Sequence, residues 1–335
     1  MSSNKLNCGI IGFGKMGQTR ANAIRESEKG FVSKVFDVNR LADSEYEYTE
    51  AEADIINDPK IDAVFICTPN FRIQPLTIAA LEKGKHVFSE KPPAFTAADV
   101  EKVIQAEERS GKKLMYGFNH RHHGSIKRAK QIIESGDYGR ILWMRGRYGK
   151  SVDRDFFKGW RADKDKVGGG IFLDQGIHML DLFLHFSGEF HDVQAMVSDL
   201  FWKIPGIEDN VFANFRNNET GVVASLHSTM TQWRHLFSLE IFLERGHIVL
   251  NGLKTSSNSY GNEELTVERN RHTGPSIEWG EKQVYYYEND TSWLSEIEHF
   301  FDCINHNRPV QHGCSRDALR LMKLVDKVYE QQRVI

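Results

Sequence analysis

Short apolar runs alternate with segments rich in helix-forming residues over the first 120 positions of the chain. The apolar runs predict β-strands at residues 6–11, 31–36, 63–67, 86–89 and 113–116. The segments between them predict α-helices at residues 14–28, 72–82 and 97–110. Strands that alternate with helices are typical of crossover units on a parallel sheet. Residues 1–120 are therefore expected to form a Rossmann-like domain with a doubly wound parallel sheet.

The pattern changes to closely spaced apolar strands after a predicted helix at residues 125–135. Seven runs follow in meander order, at residues 141–148, 193–201, 211–216, 221–231, 238–242, 248–250 and 284–287. A helix over about residues 170–186 interrupts them, and amphipathic helices are predicted at 293–305 and 315–331. We therefore expect a second, α/β domain over residues 121–335, with a large, mostly antiparallel open sheet. Its last helices can pack back on the first domain.

A glycine-rich turn follows the first predicted strand and opens the first predicted helix. Its sequence is Gly12-Phe13-Gly14-Lys15-Met16-Gly17, and Asp37 closes the second strand 20 residues after Gly17. Backbone N–H groups of such a turn can hold a pyrophosphate, and a carboxylate at this distance can bind an adenosine ribose. We therefore expect a dinucleotide cofactor, NAD rather than NADP, although Arg40 would also suit NADP. The alternative is an ordinary strand–turn–helix junction with Asp37 as a solvated cap.

Composition and charge argue against several other classes of protein. The formal net charge of the 335 residues is -3, which gives no reason to expect a nucleic-acid partner or attraction to a membrane surface. No apolar run approaches the roughly 18 residues of a membrane helix, and residues 1–5 lead into the first strand without a signal-peptide pattern. The four scattered cysteines show no metal or redox spacing. These features predict a cytoplasmic protein of two domains.

The 14 histidines raise the question of a metal site. His120, His122 and His123 are clustered, but no second group with ligand spacing accompanies them. We therefore predict no metal. One of these three histidines is expected to line a substrate pocket, and the others are expected to be exposed to solvent.

Five further motifs lie in order along the chain. They are Cys67-Thr68-Pro69-Asn70; Gly84-Lys85-His86-Val87 with Glu90-Lys91-Pro92; Gly117-Phe118-Asn119 with Arg121; Trp160-Arg161; and Gly168-Gly169-Gly170 with Asp174 and His178. Together they resemble the glucose–fructose oxidoreductase and inositol dehydrogenase family (Gfo/Idh/MocA), over essentially the full chain. Any one motif is modest support, whereas five in register are specific.

The resemblance implies an NAD(P)-binding domain followed by a domain that binds substrate and forms homodimers or homotetramers through its sheet. The β-rich half agrees with this, because it has more strand than its few helices can cover. The implied reaction is hydride transfer between the nicotinamide and a carbinol carbon of a sugar, cyclitol or nucleotide sugar. Besides the glycine-rich turn and Asp37, the resemblance assigns to the cofactor Thr68, Pro69, Asn70, Glu90, Lys91 and Asn119.

Two positions depart from the family's pattern. Ile73 stands where many members carry a histidine, and His120 stands where arginine is common. Both lie near the expected cofactor or substrate site, so the identity of the substrate cannot be carried over from better-known members.

Lys91 follows the strand predicted at residues 86–89, where open α/β sheets bind their ligands. A lysine there can donate a hydrogen bond to a substrate oxygen and stabilise the charge that develops on it. Glu90 could orient Lys91 or contact the cofactor, and the resemblance implies a cis Lys91-Pro92 bond. The alternative is a surface lysine at a turn. We predict that Lys91 is catalytic.

Asp174 and His178 lie four residues apart on the helix predicted after the glycine triplet. A carboxylate beside an imidazole can fix its tautomer, which suits His178 to accept the proton of a carbinol. The alternative is a buried histidine satisfied by its carboxylate, without contact to substrate. With the family resemblance we predict that both are catalytic, and that Asp181 is a cap or salt-bridge residue.

Residues 145–166 hold eight basic residues against four aspartates, with aromatic residues between them. Such a run is usually a solvated loop, but it could bind a carboxylate or phosphate of an acidic or nucleotide-linked sugar. The predicted substrate-binding residues are Arg121, Tyr148, Trp160, Arg161, Asp174 and His178.

The sequence is compatible with three other functions. The chain could retain NAD through a transient oxidation, giving net glycoside cleavage or epimer-like chemistry. It could be a non-catalytic NAD(P)-binding sensor or regulator, although such a protein need not keep Lys91, Asp174 and His178. It could also be a sugar-acid or imine reductase that works in the opposite direction.

Overall fold

The computed structural model describes residues 5–41, 45–269 and 282–331. The expectation about the start of the chain falls largely on residues 1–4, which lie outside the described residues. The chain divides into two compact units. The first unit holds residues up to 119 together with 165–167 and 292–323, and the second holds 120–164, 168–291 and the residues from 324 onward.

The first unit is built on a parallel sheet whose strands follow the order β3-β2-β1-β4-β5-β6. Its strands are β1 (Leu6–Ile11), β2 (Gly30–Phe36), β3 (Glu47–Tyr48), β4 (Ala63–Ile66), β5 (His86–Ser89) and β6 (Leu114–Tyr116). Its first four helices are α1 (Lys15–Ser27), α2 (Glu52–Ile56), α3 (Asn70–Glu82) and α4 (Ala97–Ser110). The strand order reverses between β1 and β4, which is the point where doubly wound sheets bind ligands. The predicted Rossmann-like sheet is confirmed.

Aromatic side chains form the centre of the first unit's core. Phe65 of β4 stacks on Phe88 of β5 with ring centroids 5.2 Å apart, because β4 and β5 are neighbours in register. Phe300 packs edge-on against both rings, and Phe301 packs edge-on against Phe65. Helix α8 (Ser292–Asn305), which carries Phe300 and Phe301, is thus part of the first unit although it lies near the end of the chain.

The second unit contains an eight-stranded sheet in the order β14-β13-β12-β11-β7-β10-β9-β8. Its strands are β7 (Ile141–Ser151), β8 (Asp192–Ser198), β9 (Asn210–Arg216), β10 (Val223–Thr229), β11 (Thr231–Leu243), β12 (Gly246–Asn251), β13 (Glu263–Arg269) and β14 (Lys282–Tyr287). Among the described strands of this second sheet, β7 and β10 are the only parallel pair, and the other pairs are antiparallel. The prediction of a mostly antiparallel sheet is confirmed.

The remaining helices are α5 (Gly124–Glu134), α6 (Lys164–Val167), α7 (Ile177–Ser187) and α9 (Ser315–Glu330). The helix predicted over about residues 170–186 is confirmed, but its residues Phe172–Gly176 have a π-helical form that the sequence did not predict. Strands β3 and β13 and the short helices α2 and α6 were not predicted, because each is short or lacks a continuous apolar run. None of the helices in the described part of the chain is long and apolar enough to cross a membrane.

Candidate active site

The glycine-rich turn of the first unit has the shape that a bound pyrophosphate requires. Gly12 has a φ of +89°, and a Cβ there would lie 2.5 Å from the carbonyl oxygen of Cys67. A Cβ on Gly14 would meet nothing within 4 Å, so the space beside the turn is open. Helix α1 begins at Lys15 and continues through Met16, with no acidic residue in its first turn. The positive end of α1 therefore faces an open space that fits an anionic group.

Asp37 stabilises this turn from the end of β2. Its Oδ2 accepts a hydrogen bond from the backbone N–H of Phe13 at 2.6 Å, and its Oδ1 accepts one from Asn39 at 2.8 Å. The ring of Phe13 packs edge-on against Tyr46 and Tyr48. Asp37 thus holds the turn in place, and binding of an adenosine ribose by the same carboxylate stays a prediction.

The residues predicted to bind the cofactor lie after the carboxyl ends of β1, β2, β4, β5 and β6 in the first unit. Thr68 and Pro69 follow β4, and Asn70 begins α3. The Asn70 Nδ2 donates a hydrogen bond to the carbonyl oxygen of Val167 at 2.8 Å. Ile73, which departs from the family's pattern, is buried in the core, where a histidine would need a hydrogen-bonding partner.

Lys91 follows β5 at the same edge of the sheet, and its peptide bond to Pro92 is cis, as the resemblance implies. Asn119 begins a 3₁₀ helix after β6, and its buried Nδ2 donates to the Ser292 Oγ at 3.2 Å. The first unit therefore brings Lys91 and the predicted cofactor residues to one edge of its sheet. Their contacts with a cofactor or substrate remain predictions.

Glu90 belongs to a buried ionic network that the sequence did not indicate. The fully buried Arg20 of α1 donates from Nε to Glu90 Oε1 at 2.7 Å and from Nη1 to Glu296 Oε2 at 2.5 Å. Burial opposes the charge of Arg20, but the two carboxylates outweigh it and raise the pKa of the guanidinium. The guanidinium also lies over the rings of Phe88 and Trp293. Glu90 is thus fixed in place by Arg20.

In the second unit, Asp174 and His178 lie at the junction of two kinds of helix. Asp174 belongs to the π-helical segment, whereas His178 is the second residue of α7. The buried carboxylate of Glu208 accepts hydrogen bonds from the backbone N–H groups of Gly170 at 2.7 Å and Phe172 at 3.0 Å. A Cβ on Gly170 would lie 1.8 Å from the Glu208 carbonyl oxygen, so only glycine fits there. Glu208 therefore positions the start of this segment.

The hydroxyl of Tyr329 donates a third hydrogen bond to Glu208, at 2.9 Å. Burial raises the pKa of the Glu208 carboxyl, while the hydrogen bonds that it accepts act in the opposite direction. The sequence indicated neither Glu208 nor Tyr329, because Glu208 lies 38 residues beyond Gly170 and Tyr329 lies on α9.

The imidazole of His178 is buried and stacked on another imidazole. The ring of His120 lies parallel to it with centroids 4.0 Å apart, and the His120 Nε2 is 2.8 Å from the Tyr148 hydroxyl. The Tyr148 ring also packs against Tyr260 and Phe237. Burial is the main cause of the raised pKa of Tyr148, so this hydroxyl stays protonated near neutral pH. The predicted residues Tyr148 and His178 thus belong to one cluster.

Asp174 pairs with a lysine that the sequence placed only within a basic run. The Lys150 Nζ lies 3.3 Å from the Asp174 Oδ2 and 4.3 Å from the centroid of the Phe156 ring. The amide of Gln175 donates to the same Asp174 oxygen. Strand alternation could have indicated Lys150, because it lies two residues beyond the predicted substrate residue Tyr148 on β7.

The prediction that two of the three clustered histidines are exposed is wrong, because His120, His122 and His123 are all buried. The His123 Nδ1 lies 2.7 Å from the Glu263 Oε2, and Glu263 also accepts from the backbone N–H of Ser125. Burial opposes ionisation of Glu263, but these contacts outweigh it and lower the pKa of the carboxyl. The sequence did not indicate Glu263 as the partner of His123, because Glu263 lies 140 residues away on β13. No group of three or more ligand residues suited to a metal occurs in the part of the chain that the structure describes.

Arg121 forms a buried, two-pronged ion pair with Asp181. Its Nε and Nη2 donate to the two carboxylate oxygens at 2.7 Å and 2.6 Å. This confirms the salt-bridge role expected for Asp181. The predicted contact of Arg121 with substrate remains a prediction.

Trp160 and Arg161 lie on the 3₁₀ helix Gly159–Ala162. The Arg161 guanidinium stacks over the Trp160 ring at 4.4 Å and over Phe156 at 5.3 Å. Other charges of the basic run are paired, since Arg145 forms hydrogen bonds with Glu240 and Lys158 lies 2.8 Å from Asp155. The run is therefore less cationic than its sequence suggests.

Comparison with known proteins identifies the family. Residues 6–118 match the oxidoreductase family with an NAD-binding Rossmann fold, and residues 126–249 match the GFO/IDH/MocA C-terminal domain. The myo-inositol 2-dehydrogenase of Thermotoga maritima is 25% identical over 98% of each chain. The levoglucosan dehydrogenase of Pseudarthrobacter phenanthrenivorans is 33% identical, over 58% of this chain and 54% of its own length.

A solved levoglucosan dehydrogenase in complex with NADH and levoglucosan has the same fold, with a TM-score of 0.86 and 25% identity over 98% of this chain and 97% of that one. The agreement covers both units, and the open glycine-rich turn fits NAD, the cofactor of the matching Rossmann-fold family. The chain therefore belongs to the Gfo/Idh/MocA family of oxidoreductases, and its first unit is an NAD-binding Rossmann domain.

Proposed function

We propose that this protein is an NAD-dependent dehydrogenase that oxidises a carbinol carbon of a sugar or cyclitol. The observation that carries the proposal is the buried cluster of the second unit, where the His178 ring stacks on His120 and His120 contacts the Tyr148 hydroxyl. An imidazole that is buried and held by a stacked ring is suited to accept a hydroxyl proton. The named relatives support a sugar-like substrate, because they act on inositol and levoglucosan.

Each of the three catalytic residues has a distinct role in this proposal. His178 accepts the proton of the carbinol hydroxyl. Lys91 donates a hydrogen bond to a substrate oxygen on which negative charge develops. Asp174, four residues before His178 in the chain, supports the imidazole as an anionic acceptor. When bound, the nicotinamide supplies the acceptor for the hydride.

The cofactor is held by the predicted residues of the first unit. The glycine-rich turn and the first turn of α1 bind the pyrophosphate through backbone N–H groups. Asp37 favours NAD over NADP, since a carboxylate repels a 2′-phosphate. Solved relatives include complexes with NADH and with NADP, so both cofactors should be assayed.

The sheet of the second unit supports a proposal about assembly. Trp143, Val223, Phe212 and Met196 are exposed on four adjacent strands. They share one face of the sheet, because the register pairs Trp143 with Val223 and Phe212 with Met196, and pairs Phe212 also with His227, which lies four residues beyond Val223 on β10. A row of exposed apolar side chains is typical of a buried interface. We propose that this face forms a homodimer or homotetramer. Light scattering after size-exclusion chromatography tests it: Phe212→Asp should yield a smaller species, and an unchanged mass would refute the assignment.

The cytoplasmic location stays a prediction.

A substrate panel tests the reaction. Wild-type protein is incubated with NAD⁺ or NADP⁺ and with sugars, cyclitols and nucleotide sugars, while NADH or NADPH absorbance and products are followed. Net reduced cofactor supports the dehydrogenase. Product without net reduced cofactor supports the glycosidase or epimer-like alternative, and cofactor binding without any turnover supports the sensor.

The variant Lys91→Ala tests the assignment of Lys91. Turnover should be abolished while the Kd for NAD stays within a few-fold of the wild-type value, since the pyrophosphate is bound elsewhere. Loss of NAD binding would instead mean that Lys91 serves the cofactor.

A further inference from the structure

The strand β7 directs Lys150 towards the catalytic segment of the second unit. Side chains alternate between the two faces of a strand, so Gly146, Tyr148 and Lys150 share one face. A Cβ on Gly146 would lie 2.5 Å from Met179 of α7, which identifies that face as the one covered by the helix. Arg145, on the opposite face, pairs with Glu240 of β11.

The ion pair of Lys150 and Asp174 is partly shielded but remains accessible to a small molecule. The side chains are 19% and 26% exposed, respectively, with the Nζ and Oδ2 atoms 3.3 Å apart. The ammonium has three N–H donors and this contact uses one of them, so the others can bind another oxygen. The ring of Phe156 covers one side of the ammonium.

Other polar groups surround this pair. Burial is the main cause of the lowered pKa of His235, and the charge of Lys150 lowers it further. Burial is also the main cause of the raised pKa values of Tyr148 and Tyr260, and the charge of Asp174 raises both further. The cationic and anionic groups therefore act on one shared region of the second unit.

A lysine beside an aspartate presents hydrogen-bond donors next to acceptors, with no net charge. Two adjacent hydroxyls of a polyol match this arrangement, since each hydroxyl can both donate and accept. A carboxylate or phosphate would be attracted by Lys150 but repelled by Asp174. The pair thus favours an uncharged ligand over the acidic or nucleotide-linked sugar that the basic run alone suggested.

We propose that Lys150 and Asp174 form a subsite for two adjacent hydroxyls of an uncharged sugar or cyclitol. Lys150 donates a hydrogen bond to one oxygen, and Asp174 accepts one from the neighbouring hydroxyl. Lys150 is thereby a substrate-binding residue that determines specificity. This inference rests on the proposed function, because it concerns the substrate of the same reaction.

The test compares Lys150→Met, Lys150→Gln and Lys150→Arg with Lys102→Met as the control. Lys102 forms a comparable pair with Asp99, but on the surface of α4 in the first unit. Each protein is assayed with myo-inositol, levoglucosan and methyl α-glucoside, with their monodeoxy derivatives, and with glucuronic acid. Thermal unfolding and NADH binding are measured on the same samples to verify that each variant is folded.

For the best neutral polyol, Lys150→Met and Lys150→Gln should raise KM about 10- to 100-fold, as expected for a lost hydrogen bond to a charged group. The same variants should change KM little for the monodeoxy derivative that lacks the bound hydroxyl. Lys150→Arg should recover part of the loss, and Lys102→Met should match the wild type. Glucuronic acid should be a poor substrate of the wild type.

Three results would overturn the subsite. The first is an unchanged KM in folded Lys150→Met and Lys150→Gln. The second is a rise in KM, caused by these variants, that is the same for the parent polyol and for every monodeoxy derivative. The third is a preference of the wild type for glucuronic acid. If the wild type turns over the neutral polyols and any one of these three results is found, the dehydrogenase proposal stands and only the subsite fails. If the wild type oxidises no member of the full substrate panel, both proposals fail.

Discussion

The imidazole rings of His120 and His178 lie 4.0 Å apart between centroids and are inclined by only 15°. His120 is held in turn by the hydroxyl of Tyr148 at 2.8 Å. The ring of His178, the proposed proton acceptor, is therefore oriented by the ring of His120, a residue that departs from the pattern of the family.

Replacing His120 should separate stacking from hydrogen bonding. His120→Ala removes the stacked ring and should lower kcat about 10- to 100-fold, because small displacements of a catalytic group are costly. His120→Phe restores a flat ring and should recover much of kcat, although the Tyr148 hydroxyl loses its contact with the His120 Nε2. Tyr148→Phe removes only that hydroxyl and serves as the matched comparison. Equal kcat values in His120→Ala and His120→Phe would contradict the stacking role.

Changes at Asp37 should alter cofactor selection. Asp37→Asn keeps an acceptor for the Phe13 N–H but removes the charge, so affinity for NADP should rise relative to NAD. Asp37→Ala also removes the acceptor and should weaken both cofactors, NAD more strongly. Fluorescence titration gives the two Kd values, and a ratio that is the same in all three proteins would remove the case for Asp37 as the selecting residue.

The contact between Gly170 and Glu208 should be visible in stability. Gly170→Ala forces a Cβ against the Glu208 carbonyl oxygen and should lower the free energy of unfolding by about 1–3 kcal/mol. Tyr329→Phe removes one hydrogen bond to the buried carboxylate and should cost about 1 kcal/mol. Gly14→Ala, where a Cβ meets nothing, is the control for stability. Urea unfolding measures all three, and a Gly170→Ala variant as stable as the wild type would disprove the close approach.

His86 should make the protein sensitive to mild acid. Burial, with the nearby Lys112 and Lys113, lowers its pKa from 6.5 to about 4. Between these two pH values the unfolded chain binds a proton that the folded chain does not. The contribution of neutral His86 to the free energy of unfolding is therefore fully present above pH 6.5 and is lost as the pH drops towards 4. After allowance for solvent screening, the loss should be about 1–2 kcal/mol.

The variant His86→Asn isolates this effect. Asparagine can still accept the hydrogen bond that the His86 Nδ1 receives from the Lys113 N–H, but it does not titrate. Urea unfolding at about pH 7 and about pH 4.5 should show a smaller acid-induced loss in the variant than in the wild type. An identical loss in both proteins would assign the acid sensitivity to other groups.

Local patterns predicted the parts of the molecule that depend on neighbours in sequence. Alternating apolar runs located β1, β2, β4, β5 and β6, because buried parallel strands need continuous apolar residues. The order of strands and helices was sufficient for the Rossmann-like sheet. The π-helical segment was missed, since its residues have the composition of an ordinary helix.

The sequence by itself determined the family, the glycine-rich turn with Asp37, and the position of Lys91 after a central strand. Each of these depends on a short motif or on strand periodicity. Only the tertiary structure decided which polar side chains are buried together: Arg20 with Glu296, 276 residues apart, and His123 with Glu263, 140 residues apart. It also joined Lys150 to Asp174. The physical reason is that a charged side chain is stable in the interior only beside a partner, and long-range packing alone brings that partner there.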